Sequence, residues 1–95
     1  MIEVRDLIWD EWNREHVARH GVTERDVLTA CLGPHHTGGS YNGRIRLIGL
    51  DTVGSMVTVI LSPQEEQGIY YVVTARPASR KERRVYRQEV GIDKE

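Results

Sequence analysis

The sequence carries one cysteine and no long apolar run. A lone thiol cannot close an internal disulfide, and no second cysteine is present to build a zinc cluster. Cys31 lies among Val27, Leu28 and Leu32, the surroundings of a buried core thiol. No stretch approaches the roughly 18 apolar residues that span a bilayer, so the chain reads as soluble and globular, without a membrane role. Its first residues, Met1 to Asp6, lack the basic-then-apolar layout of a secretory signal, and a cytoplasmic location is expected. With 95 residues, the whole of 1–95 reads as one domain. A chain of this size buries only roughly 60–65% of its unfolded surface, so a partner or a homodimer is expected to supplement its stability.

Charge is also scarce in total, at −1, until it is divided along the chain. From Arg76 to Arg87 six basic residues stand against the single acid Glu82, a net +5, which leaves −6 for the remainder. An acidic body with one basic segment implies a localised anion-binding surface, or a region that a partner must neutralise.

Local signals give the element order. Arg5 to Trp9 is a short β-like run, and Asp10 is a helix N-cap before a helix over Glu11 to His20. Gly21 supplies a left-handed terminator, and Thr23 with Asp26 opens a second helix that ends at Leu32. Gly33 to Gly43 is dense in turn formers and reads as a loop. Three β-like runs follow at Arg44 to Asp51, Met56 to Ser62 and Ile69 to Arg76, with connections short enough for an antiparallel meander. Apolar residues at both parities of the middle run predict a central strand covered on both faces. Pro77 stops the third run, and Ser79 with Glu82 forms a capping box that opens a last helix reaching Glu89. The tail from Gly91 to Glu95 reads as frayed. The fold class is α+β, in the order β-α-α-β-β-β-α, with an antiparallel sheet and a C-terminal helix.

At about 100° per residue, Arg80, Arg83, Arg84 and Arg87 fall on one face of that helix, with Val85 and Glu82 on the opposite side and Tyr86 on a flank. Adjacent arginines repel one another unless an anion lies over them. The guanidinium fork suits phosphate because it donates in pairs and stays protonated. Arg76 ends the third run just before this helix, which brings it near the helix start, and Lys81 adds charge beside it. The competing reading is an ordinary exposed helix paired with acidic groups. Trp12, Asn13, His16 and His20 share a face of the first helix by the same spacing. His16 and His20 have the i,i+4 separation of metal ligands, but no glutamate completes H-E-x-x-H, so no metal is assigned. They remain either core-edge histidines or proton carriers with a suitable pKa. His35 and His36 sit in the expected loop, and Tyr41, Tyr70 and Tyr71 are either packing residues or platforms for bases. Gly38-Gly39 lacks the lysine and helix of a phosphate loop.

Trp9-Asp10, Asn13, Arg19-His20-Gly21-Val22, Arg44-x-Arg46-x-Ile48-Gly49, Val73 to Ala78 and Arg80-Lys81-Glu82-Arg83-Arg84-x-Tyr86 together resemble the BrnT toxins, over about Ile8 to Glu89. The resemblance implies a RelE-like ribonuclease fold, RNA cleavage that arrests growth, and a BrnA-like ribbon-helix-helix antitoxin as partner. Such metal-independent cleavage needs donors for charge developing on phosphorus oxygens and groups that move protons, with no cofactor. Arg76, Arg80, Arg83 and Arg84 are the expected catalytic donors, with His20 or Tyr86 for protons. Arg46, Lys81, Arg87 and His16 are the expected RNA-binding residues. The alternative is a non-catalytic module that binds nucleic acid or docks an acidic antitoxin through the same stripe.

Overall fold

The computed structural model describes residues 1–91. Gly91 caps the last helix in the left-handed conformation, at φ 70°, and the rest of the expected tail lies outside the described residues. The elements are β1 (Asp6–Ile8), α1 (Glu11–Arg19), α2 (Glu24–Leu32), β2 (His36–Gly39), β3 (Ile45–Leu50), β4 (Met56–Pro63), β5 (Ile69–Pro77) and α3 (Arg80–Val90). The chain is α+β, and the expected element order stands with one strand more, because β2 occupies part of the expected loop. The five strands form one sheet in the order β1-β5-β4-β3-β2, antiparallel throughout except for β1, which pairs parallel with β5. As its two-sided apolar pattern predicts, β4 is the middle strand.

The three helices of the described residues start at side-chain caps visible in the sequence. Asp10, Thr23 and Ser79 each accept a bond from the backbone N–H three residues on, and Asn13, Asp26 and Glu82 each accept one in return from the cap's own N–H. This satisfies two of the donors that the first turn of a helix otherwise leaves unpaired.

The two faces of the sheet are covered differently. Leu47, Val57, Val59, Leu61, Val72 and Ala75 pack with Val17 of α1 and Val27, Ala30 and Cys31 of α2. Ile48 and Ala78 pack with Tyr86 of α3, flanked by Leu50, Met56, Val85 and Val90. Adjacent strand residues point to opposite faces, so Leu47 and Ile48 assign α1 and α2 to one side and α3 to the other. The thiol of Cys31 is pushed up to about 12 by burial, which leaves it an inert packing group, as its neighbours in sequence imply.

Helical spacing puts Asn13 on a shared face with Trp12, but the two differ in environment. Asn13 is fully buried, and its Nδ2 donates to the carbonyls of Ile8 and Val72 at 3.0 and 2.9 Å. A buried amide must be hydrogen-bonded. Here the amide meets that need by linking the end of β1 to β5. No helix among the described residues is long and apolar enough to cross a membrane.

Candidate nucleic-acid interface

At the start of α3, Glu82 is the hub of a compact network. Its carboxylate accepts both guanidinium nitrogens of Arg76, at 2.7 and 2.9 Å, the hydroxyl of buried Thr58 at 2.8 Å, and the N–H of Ser79 at 2.8 Å. The Arg76 guanidinium, ahead of the backbone and Thr58 hydroxyl bonds, overcomes desolvation and holds the Glu82 carboxyl down at about 2. The same pairing raises the pKa of Arg76 further above its ordinary value. Helical spacing puts Glu82 with Val85 on the side away from the arginines, but hydropathy does not select a carboxylate for burial. It is buried because it serves as cap, arginine partner and hydroxyl acceptor together.

That inward turn sets the rotation of α3. Tyr86, one turn beyond Glu82, is only 1% exposed, and its hydroxyl lies 3.4 Å from the Pro34 carbonyl. Its assignment as a proton carrier is therefore corrected: the ring is a core residue, and burial raises its pKa. Packing centres on Tyr86, with half-buried Val85 beside it, where hydropathy selects Val85 alone. Arg80, Lys81, Arg84 and Arg87 lie on the outward side, and all four are exposed. Arg83 departs from the uniform solvent-facing stripe. It donates from Nη1 to the Ala78 carbonyl at 2.9 Å, which leaves only part of its fork free.

Beyond the part of the sheet that α3 covers, the same face is open. A depression of about 590 Å³ is lined there by Tyr41, Arg44, Arg46, Thr74, Arg76 and Glu82, among others. Arg46 lies opposite Ile60 in the β3–β4 ladder, Ile60 lies opposite Thr74 in the β4–β5 ladder, and Arg76 is two residues further along β5. Strand periodicity therefore brings Arg46 and Arg76 to one face, as the RNA-binding assignment of Arg46 requires. The Arg46 Nε–H is buried and has no hydrogen-bond partner among the described residues.

The histidines are elsewhere. His16 and His20 lie in and at the end of α1, across the sheet from α3, so the expected union of His20 and His16 with the arginines does not form. The His16 ring stacks on Trp12, with centroids 4.8 Å apart, and meets His20 edge-on at 5.7 Å. His35, within the expected loop, is held in place. It is buried, with Nδ1 on the Gly33 carbonyl at 2.8 Å and Nε2 accepting the Ile2 N–H at 3.1 Å. The ring thus ties the N-terminal segment to the end of α2. His36 belongs to β2. Among the described residues, no three His, Cys, Asp or Glu side chains gather closely enough to hold a metal ion.

Of the residues lining the depression, Arg44 is not assigned to the site by sequence reasoning, and Tyr41 enters it only as one of three tyrosines that either pack or stack on bases. The signal for them is Asn42-Gly43, the commonest two-residue hairpin turn, within the stretch that reads as a loop. No family model matches the chain, and no curated protein matches it.

Proposed function

We propose that the chain is an RNA-binding toxin of the BrnT type, with a RelE-like fold, acting in the cytoplasm as a metal-independent endoribonuclease. The observation that carries this reading is the convergence of Arg44, Arg46 and Arg76 on one open depression of an otherwise acidic molecule, with the Arg46 Nε–H unpaired among the described residues. Fixed cationic donors in a partly desolvated hollow are suited to charge that develops on phosphorus during attack by the ribose 2′-hydroxyl. Arg46 is the chief donor. Arg76 contributes what its pairing with Glu82 leaves free, and Arg80, Arg84, Arg87 and Lys81 hold the flanking backbone. A BrnA-like antitoxin would cover the same cations.

One observation favours the alternative, a non-catalytic module that binds RNA or docks an antitoxin. Efficient proton transfer needs a group with a pKa near the working pH. The carboxylate facing these arginines, Glu82, is far too weak a base, while His16, His20 and Tyr86 are not at the depression. The catalytic reading therefore assigns proton transfer to water or to hydroxyls lining the hollow.

The deciding experiment incubates purified, antitoxin-free chain with RNA, with and without EDTA. Cleavage to 2′,3′-cyclic phosphate ends that resists EDTA and falls on the order of 100-fold in Arg46→Ala supports the catalytic reading. Tight RNA binding without cleavage moves the assignment to the binding module. Cleavage that needs added divalent metal, or that is unchanged in Arg46→Ala, overturns the mechanism.

A further inference from the structure

The depression has a wall that the arginine motifs do not explain. Between β2 and β3 the chain reverses at Asn42 (φ 56°) and Gly43 (φ 74°), the two consecutive left-handed residues of a type I′ turn. The Arg44 N–H donates to the Tyr41 carbonyl at 3.0 Å and the Ser40 N–H to the Arg44 carbonyl at 2.9 Å, so the turn is bonded on both sides. It presents Tyr41 with 84% of its surface exposed at the rim of the hollow and Arg44 on the hollow's lining. A large ring held in water by a bonded turn makes no packing contribution that would account for it. It does offer a flat face to a ligand.

Arg46 is seated by an absence. Gly38 stands opposite it in the β2–β3 ladder, and a Cβ at Gly38 would come within 3.3 Å of the Arg46 Nη2. The backbone of Gly38 is not left-handed, so its missing side chain is not required by the conformation of β2. Any side chain at Gly38 would crowd the guanidinium and push it aside by a few tenths of an ångström at its Cβ alone, with branched atoms adding to this. The neighbouring Gly39 differs, since a Cβ there meets nothing within 4 Å. The carboxylate at this hollow, Glu82, is already engaged by both Arg76 nitrogens and is not the partner of the Arg46 Nε.

We infer that this hollow is a nucleotide subsite distinct from the α3 stripe, in which Tyr41 stacks on a base, Arg44 and Arg46 take the adjoining phosphate, and Gly38 positions Arg46. The inference rests on the RNA reading above and deepens it, from a surface attracted to polyanions to one that recognises a base beside its phosphate. A hollow of about 590 Å³ is within the range of small-ligand sites and has room for a nucleotide. Stacking is tolerant of base identity because every base has a π-face, so the subsite selects for unpaired bases and not for sequence.

The test measures anisotropy of a labelled 2′-O-methyl uridine hexanucleotide, which lacks the attacking hydroxyl, beside calorimetric titration with inorganic polyphosphate, which has charge but no bases. Tyr41→Ala is expected to weaken hexanucleotide binding about tenfold and leave polyphosphate binding unchanged, while Tyr41→Phe retains both. Arg46→Ala weakens both ligands. Gly38→Val weakens both as Arg46→Ala does, with an unchanged circular dichroism spectrum. Equal hexanucleotide affinity in Tyr41→Ala overturns the stacking subsite, and parental binding by Gly38→Val overturns the positioning role. If Arg80→Ala with Arg84→Ala loses RNA while Tyr41→Ala and Arg46→Ala do not, the subsite fails and the RNA reading stands. If the parent chain does not bind the hexanucleotide at all, the RNA reading fails and the subsite with it.

Discussion

Glu82 shows how one side chain sets both stability and charge. Its carboxyl lies near 2 in the folded chain against an ordinary value of 4.5, so the folded state favours the ionised form. The stability this gives is complete above about pH 4.5 and is lost as pH falls from there toward 2, about 3 kcal/mol in all. Urea denaturation of the parent and of Glu82→Gln should therefore differ at pH 7 and converge toward pH 2. A constant gap would place the stabilisation outside the carboxylate. Tyr86 gives a second test at this scale. Tyr86→Ala should cost about 3–5 kcal/mol, as other buried aromatic truncations do, whereas Tyr86→Phe should bind RNA like the parent. A loss of RNA binding or cleavage in Tyr86→Phe would restore the phenol to the site. The capping role of Glu82 is legible in Ser79-x-x-Glu82, because a cap is a local device. Its capture of Arg76 and Thr58 is not, because that depends on which way β5 and β4 face.

Between elements, the close approach of α2 to β3 depends on Gly49. A Cβ at this position would lie 2.6 Å from the Ala30 carbonyl oxygen and 3.0 Å from its Cβ, with the helix backbone unable to yield. Gly49→Ala should destabilise the domain by roughly 1–3 kcal/mol, and a midpoint of urea unfolding equal to the parent's would contradict that packing. The three long strands and three helices are readable because hydrophobic period and caps agree along them. The strand β2 is not, since His36-Thr37-Gly38-Gly39 has neither alternation nor more than one β-branched residue. It is a strand because β3 offers it an edge. The rotation of α3 likewise escapes the pattern, because Tyr86 and Glu82 fill the interior where hydropathy alone selects Val85.

Across the whole molecule, charge is sorted rather than mixed. The outward face of α3 is cationic, so binding of single-stranded RNA should weaken steeply with salt through counterion release. Removing Arg80 and Arg84 together should reduce the slope of log affinity against log salt by about 1.4, at about 0.7 for each phosphate left without its cation. An unchanged slope would mean that the stripe does not touch the phosphates. The parallel edge strand has a different consequence, one of timing. Asn13 reaches the Val72 carbonyl across 59 residues of chain, and β1 pairs with β5 alone. Contacts so distant in sequence carry the largest loop-closure cost and form late. Leu7→Ala in β1 should accordingly speed unfolding and leave the refolding rate nearly unchanged, a pattern that stopped-flow chevrons would reveal. During synthesis the first of the five strands must wait, unpaired, until β5 has left the ribosome, so the chain completes its sheet with the strand it made earliest.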